Sequence, residues 1–440
     1  MTTRRVLFFS EAVTLAHVAR PAALAGAIAA NHHVTLARAP WAGPFIDDAR
    51  LEQRDLHSVP SSTFLESLRL GRPVYDAATL ERYVEDDLAL IDAERPDLVV
   101  GDFRLSLSIS ARLRGLPFVT ITNAYWSPWY REPAPLPVLP WTARVPLPLA
   151  RAAFALARGP VMASHTLPIN RVRQRFGLPS LGWNLRRVYT DADWLALADS
   201  PALYPTPGAP DSHRYLGPIA WSPPAGSLPL WWSRPRQVRP IAYLSLGSSG
   251  PAGLTGALIQ GLLAAGFDIW HTAAGGAGHT SPDGRVFSAP WLPGELACQR
   301  ADLVVCNGGS LGVQQALAAA RPVIGVASNM DQFMNMGPIV QAGAGLLLRA
   351  DRVSAPAVAQ AASGFGLSAG ARAAARRLSA LQARLSAGTR FAQLVREIVG
   401  ESTRPQGRSD AQDHARPDPG LSAAVQPGRA AGVAERAIHR

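Results

Sequence analysis

Short runs of β-branched or aliphatic residues alternate with helix-like stretches along this chain, and that alternation constrains its fold more than any other feature. The runs are Arg5 to Ser10, Val34 to Ala37, Leu98 to Gly101, Phe118 to Thr122 and Trp194 to Ala198, separated by helical composition as at Pro21 to Ala30 and Leu105 to Arg114. Near-continuous apolar strands interleaved with helices signal a parallel sheet covered on its faces. The pattern pauses from Ser200 to Pro240, where SPALYPTPGAPDSH and IAWSPPAGSLPLWWSRPRQVRP are crowded with proline and glycine. It restarts at IAYLSLGSS and runs on through Phe267 to Thr272, Leu303 to Cys306 and Val323 to Val326. With 440 residues, enough for two buried cores, the expected fold class is α/β, with two doubly wound, Rossmann-like domains in tandem. The expected division is a domain at 1–200, a Pro/Gly-rich linker at 201–240, a second domain at 241–400 and a disordered tail at 401–440 that has few large apolar residues. Phe391, Leu394, Val395 and Ile398 share one helical face and predict an apolar-backed C-terminal helix.

A formal charge of +11 ordinarily points to nucleic acid, anionic lipid or an acidic substrate. Here all 43 basic residues are arginine, a bias that accompanies abundant Ala, Gly and Pro and reflects genome composition. The arginines are scattered, with no basic stripe interleaved with aromatics, so nucleic acid is not an expected partner. Cys298 and Cys306 form no CxxC or Cys/His array, which argues against a zinc site or a disulfide framework and for a reducing cytoplasm. The apolar run Val6 to Phe9 is too short for a signal-peptide core. No uninterrupted apolar stretch reaches the roughly 18 residues of a membrane-spanning helix.

The segment from Tyr125 to Ala163 interrupts the pattern with WSPWY and REPAPLPVLPWTARVPLPL before an Ala/Arg/Phe helix. Proline at that density cannot lie inside a central strand, so an insertion wrapped on the surface is expected. Its aromatics would line a ligand pocket or touch a membrane surface; the alternative is an apolar loop packed on its own domain.

Within the second half, LVVC reads as a buried strand, NGGS as a turn, and Leu311 to Ala320 as a helix stopped by Arg321 and Pro322. Ligands of open parallel sheets bind beyond the carboxyl ends of the strands. Glycine there admits a ligand to the main chain, and a helix start attracts a phosphate. The longer stretch ADLVVCNGGSLGVQQALAAARPVIGVASNMDQFMNM resembles the donor-binding segment of nucleotide-sugar glycosyltransferases of the GT-B fold, two Rossmann-like domains facing each other across a cleft. The resemblance rests on Trp291 with Pro293, Asn307 to Ser310, Gln315, Pro322, and Asp331 with Gln332. VLFFSEAVTLAHVARPAALAGAIAANHHVTLA and RYLGPIAW resemble N-terminal segments of the same enzymes, so the likeness covers about residues 4 to 400.

The resemblance implies roles for particular residues. Trp291 would stack on the nucleotide base, the alternative being a core tryptophan. Gly308, Gly309 and Ser310 would donate to the diphosphate, with Ser248 facing it unless that serine only caps a turn. Asp331 and Gln332 would hold sugar hydroxyls, unless Asn329 and Asp331 merely cap the following helix. His17 would be the base that takes the acceptor proton, with Asp102 orienting its ring, and Glu11 is a second carboxylate that would face the cleft. His32 and His33 are expected to be structural.

Two departures from the family pattern stand out. The usual turn histidine is Asn307, an amide without positive charge, and the usual ribose-binding glutamate is Gln315, which has a single acceptor oxygen. The loss of that carboxylate implies a thymidine-diphosphate sugar, whose deoxyribose lacks one hydroxyl, with a uridine-diphosphate sugar as the close alternative. No DxD-type metal cluster is evident, so the expected reaction is a metal-independent, inverting transfer of a hexose or deoxyhexose to an apolar or aromatic small molecule or lipid. No cofactor beyond the nucleotide-sugar co-substrate is expected. The expected location is the cytoplasm, with peripheral contact at the inner membrane face as the variant. A catalytically silent nucleotide-sugar-binding protein and a nucleotide-sugar epimerase are the rival readings.

Overall fold

Apolar runs become strands because their alternate residues can be buried on opposite faces of a sheet. The computed structural model describes residues 3–219, 221–222, 228–233, 238–247, 250–273 and 278–400; the tail expected to be disordered lies outside them. The first sheet contains β1 (Arg5–Ser10), β2 (His33–Arg38), β3 (Glu52–Asp55), β4 (Leu98–Asp102), β5 (Phe118–Thr122), β6 (Trp194–Leu197) and β7 (His213–Tyr215). Its strands are parallel, in the order β3-β2-β1-β4-β5-β6-β7. Period two sorts β1 cleanly: Val6 and Phe8 enter one core layer with Val34, Leu36 and Val100, while Leu7 and Phe9 enter the opposite layer with Val99 and Phe118. Truncating a side chain as enclosed as Phe8 would cost about 3–5 kcal/mol.

The second sheet contains β8 (Ile241–Ser245), β9 (Asp268–Thr272), β10 (His279–Thr280), β11 (Val286–Ala289), β12 (Leu303–Cys306), β13 (Val323–Ala327) and β14 (Gly345–Arg349). Its order is β10-β11-β9-β8-β12-β13-β14, parallel except where β10 meets β11. In each sheet the order reverses once near the middle, at β1 with β4 and at β8 with β12. Such switch points open a crevice at the carboxyl ends of the strands. Here those ends lead into the loops of His17, Asp102 and Asn307.

Three segments fall differently from the expected division. The final helix, Ala387–Gly400, does use Phe391, Leu394 and Val395 as its buried face, but against the first sheet, with the Phe8 and Phe391 rings 5.8 Å apart. Helical periodicity shows that a face is apolar and leaves open which surface covers it. β7 extends the first sheet, and Leu216 and Ile219 enter its core, although all three were assigned to the linker. The proline-rich insertion is not merely wrapped on the surface. Tyr125 is fully enclosed, Val138 N–H donates to the Ser328 carbonyl at 2.7 Å, and Arg349 grips the carbonyls of Leu136 and Pro137 at 2.9 and 3.1 Å.

Candidate active site

Asp102 ends β4 and is completely buried, a position a carboxylate tolerates only with strong donors. It has them. His17 Nδ1 lies 2.9 Å from its Oδ1, and Arg20 donates through Nε to Oδ2 and through a terminal nitrogen to Oδ1, both at 2.7 Å. A carboxylate only accepts, so Nδ1 carries the proton and Nε2 of the neutral ring keeps its lone pair. The 3.3 Å contact from Arg20 to Nδ1 is then not a hydrogen bond. His17 and Arg20 sit three residues apart on helix Ala16–Ile28 and therefore share a face. Phe103 stacks on the imidazole, ring centroids 5.0 Å apart and planes 18° off parallel. It does so from φ +58°, a left-handed conformation that strains a bulky residue.

Arg20 also donates to Asn123 Oδ1 at 2.7 Å. The amide nitrogen of Asn123 donates in turn to Ser310 Oγ at 3.3 Å and to both oxygens of buried Asp199. A continuous polar chain thus runs from the His17 pair to the start of helix Ser310–Ala318, linking loops of the two sheets. Burial pushes the Asp199 carboxyl up to about 6 despite donors from Ala124 N–H and Asn123.

The turn at Asn307 has the expected shape with a different division of labour. Gly308 adopts φ +80°, and a Cβ there would stand 3.0 Å from Met336 Cγ, so the position excludes side chains. Its N–H points to Cys306 Sγ at 3.4 Å, and Gly309 N–H donates to Asn307 Oδ1 at 3.0 Å. Two of the three expected diphosphate donors, Gly308 and Gly309, are thus engaged within the turn. The N–H groups of Ser310, Leu311 and Gly312, which open the helix and line the cleft, have no acceptor inside it. Leu311 and Gly312 were not singled out in the sequence, although first-turn donors follow from any strand-turn-helix reading.

Gln315 lines the same cleft. Its nitrogen donates to the Trp221 carbonyl at 2.9 Å and reaches Ser222 Oγ at 3.4 Å; a carbonyl partner fixes which end of the amide is nitrogen. Its oxygen lies over Gly294, where a Cβ would come within 2.4 Å. Trp291 borders the cleft with 45% of its surface exposed, its ring edge-on to Phe45 at 5.1 Å, and so is not a core residue. Ser248 lies outside the described residues.

Asn329 caps helix Met330–Gln341 in a capping box with Gln332, whose oxygen accepts from Ser328 and Asn329 N–H. Gln332 Nε2 is buried and makes no hydrogen bond among the described residues. Asp331 does not cap: its Oδ1 accepts from the Trp126 indole at 2.8 Å, drawing the insertion onto the cleft. Glu11 is the clear correction. It is wholly buried away from the cleft, accepting from Tyr83 OH at 2.8 Å and from Arg104 at 2.9 Å, and Arg104 also holds Asp87. Burial raises the Glu11 carboxyl against the pull of Arg104. A strand-end carboxylate followed by Ala12 and Val13 turns inward because its backbone does. His33 pairs with Glu52 at 3.2 Å, away from the cleft.

His17, Asp102, Trp291, Asn307, Ser310, Gln315, Asp331 and Gln332 border one cavity of about 900 Å³. Phe64, Leu139, Trp141, Phe154 and Met162 give it a largely apolar wall, with Arg72 and His165 as polar members. The geometry therefore brings together, in one space, a hydrogen-bonded imidazole, a helix start that favours an anion, and an apolar chamber.

No protein-family model matches the sequence. The chain is 45% identical over 359 residues to a PGL/p-HBAD biosynthesis rhamnosyltransferase of Mycobacterium bovis (strain BCG / Pasteur 1173P2), covering 81% of this chain and 80% of that one. It is 42% identical over 377 residues to a PGL/p-HBAD biosynthesis glycosyltransferase of Mycobacterium tuberculosis (strain ATCC 25177 / H37Ra), covering 86% and 88% respectively. Among solved structures, the Streptomyces sp. SF2575 glycosyltransferase SsfS6, complexed with thymidine diphosphate, superposes with a TM-score of 0.63 at 19% identity, over 90% of this chain and 99% of that one.

Proposed function

Since the chain belongs to the nucleotide-sugar-dependent glycosyltransferases of the GT-B fold, we propose that it moves a deoxyhexose or hexose from a TDP- or UDP-linked donor to a hydroxyl of an apolar or aromatic acceptor. The observation that carries this reading is the meeting of the His17–Asp102 pair, the helix start at Ser310 and the apolar chamber in a single cavity. The acceptor oxygen attacks the anomeric carbon as its proton passes to His17 Nε2. The bond from that carbon to the diphosphate breaks, its electron pair leaves with the diphosphate, and the configuration inverts. Asp102 stabilises the imidazolium that forms, held in place by Arg20. Charge on the leaving group meets the first-turn N–H groups of Ser310, Leu311 and Gly312 and the helix dipole, with Asn307 beside them.

Trp291 offers its face to the base, and Gln315 offers one acceptor to the ribose. With its nitrogen held by Trp221, Gln315 suits a sugar with one ribose hydroxyl to satisfy, which favours TDP over UDP. Asp331, oriented by Trp126, and Gln332 Nε2 would take the sugar hydroxyls. The M. bovis relative is named a rhamnosyltransferase, which favours a deoxyhexose. The two carboxylates that line the cavity, Asp102 and Asp331, already accept side-chain donors, consistent with a metal-independent route and no cofactor beyond the co-substrate.

The test is product formation from TDP-rhamnose and a hydrophobic phenol in the presence of EDTA, followed by NMR of the anomeric proton. An inverted glycoside is expected. A retained configuration, a requirement for divalent metal, or an altered sugar nucleotide formed without acceptor would each defeat the reading.

A further inference from the structure

Helix Leu147–Ser164 roofs the apolar chamber in an unusual way. One side, with Phe154, Ala157, Val161 and Met162, lines the cavity. The side turned outward carries Leu149, Ala152, Leu156, Gly159 and Pro160, which cluster on one face at 100° per residue and are all exposed. Leu149 is 63% and Leu156 86% accessible, where a solvated helix would present charge. The helix is thus apolar on both sides, its charges limited to Arg151 and Arg158.

The surrounding sequence is equally biased. Residues 133–190 contain eight arginines and no aspartate or glutamate, where the chain's 32 acids in 440 residues would place about four. Arg173 and Arg175 pair with Asp191 and Glu81 from outside the segment. Arg144, Arg158, Arg171 and Arg187 make no ion pair among the described residues. Trp141, at the cavity wall, is 37% exposed. No helix among the described residues is long and apolar enough to cross a membrane.

We propose that helix Leu147–Ser164 docks this protein on an anionic lipid bilayer, its Leu149 and Leu156 face entering the headgroup boundary while the arginines of the acid-free segment meet lipid phosphates. The chamber wall and the docking face are two sides of one helix, so docking would hold the cavity one helix diameter, roughly 10 Å, from the headgroup boundary. This rests on the apolar-acceptor reading for its purpose, although the docking itself does not require turnover. An apolar face lowers its free energy by leaving water, and clustered cations are attracted to anionic headgroups over a short, salt-screened range.

The test is flotation of the full chain, without donor or acceptor, on vesicles of phosphatidylglycerol with phosphatidylcholine and on vesicles of phosphatidylcholine alone. Binding is expected to the anionic vesicles, and to fall as salt rises from about 0.1 M to about 0.5 M. The double variant L149E/L156E should bind at least about tenfold more weakly while turning over a water-soluble phenol at the wild-type rate, since neither leucine lines the cavity. L149S/L156S, which adds no charge, should fall between the two. The proposal is overturned by any of three outcomes: no vesicle binding at low salt, equal binding by the variants, or loss in the variants of self-association or DNA binding instead. Vesicle binding without any sugar transfer would defeat the functional reading and leave the docking intact.

Discussion

At the scale of single residues, the reading turns on His17 and Gln315. Substituting His17→Ala removes the proton acceptor, so kcat should fall by about 10²–10⁴-fold while the affinity for TDP, measured calorimetrically, stays within about twofold. A fall in TDP affinity to match would instead place His17 in donor binding. Gln315→Glu restores a second acceptor oxygen and a charge, so the UDP-to-TDP affinity ratio should rise, by about tenfold if one ribose hydrogen bond is gained. An unchanged ratio would remove Gln315 from donor selection. His17, Asp102, Trp291, Asn307 and Asp331 were legible because each follows a strand end or sits in a motif, and all of them border the cavity. Arg20 was not singled out, although its spacing of three from His17 on a helix was available, because an arginine in an arginine-only chain carries little signal. Phe103 was invisible: nothing in FR after a strand announces φ +58°. Glu11 misled for the opposite reason, since its position at a strand end gave no hint of the buried Arg104 and Tyr83 that receive it.

At the scale of elements, the proline-rich insertion is the part whose role packing decides. Arg349 binds the carbonyls of Leu136 and Pro137, and Arg352 those of Thr142 and Val145, while Thr142 Oγ1 donates to Asp351 at 2.7 Å. Proline removes N–H donors from this stretch, so beyond Val138 N–H and the Thr142 hydroxyl the loop is held mainly through its carbonyls, and guanidinium groups suit that task. Arg349→Ala should free two carbonyls and cost about 1–3 kcal/mol locally. Limited proteolysis around Trp141 to Arg144 should then speed up by roughly tenfold or more, with the global melting temperature little changed. Equal cleavage rates would mean the loop is held by its other contacts. The nine strands read from the sequence fall within a residue or two of their place because burial on both faces leaves a continuous apolar run, whereas β3, β7, β10, β11 and β14, short or half-exposed, were not singled out. The destination of helix Ala387–Gly400 was not, because its partner, the core around Phe8, is nearly the whole chain away.

At the scale of the whole molecule, two sheets are joined through polar contacts beside the cleft, and one of them titrates. Asp199 is buried, and its carboxyl is raised from 3.8 to about 6. A carboxyl raised in the folded chain favours folding below its unfolded pKa, and that contribution is lost as pH rises through the folded value. The wild type should therefore lose stability relative to Asp199→Asn between about pH 4 and pH 6, by up to about 3 kcal/mol. A stability difference that stays flat over that interval would show that Asp199 ionises freely in the folded chain. The same cleft holds the central claim, that the start of helix Ser310–Ala318 receives a nucleoside diphosphate whose sugar is carried to an apolar acceptor. The most direct measurement is a thermal-shift titration of the wild type with TDP, UDP, GDP and ADP. At about 100 times its Kd, TDP should stabilise the fold by about 2.7 kcal/mol, UDP should need a higher concentration for the same effect, and the purine nucleotides should give none. No shift with any of the four, or equal shifts with all of them, would contradict the assignment of that helix start as the donor site.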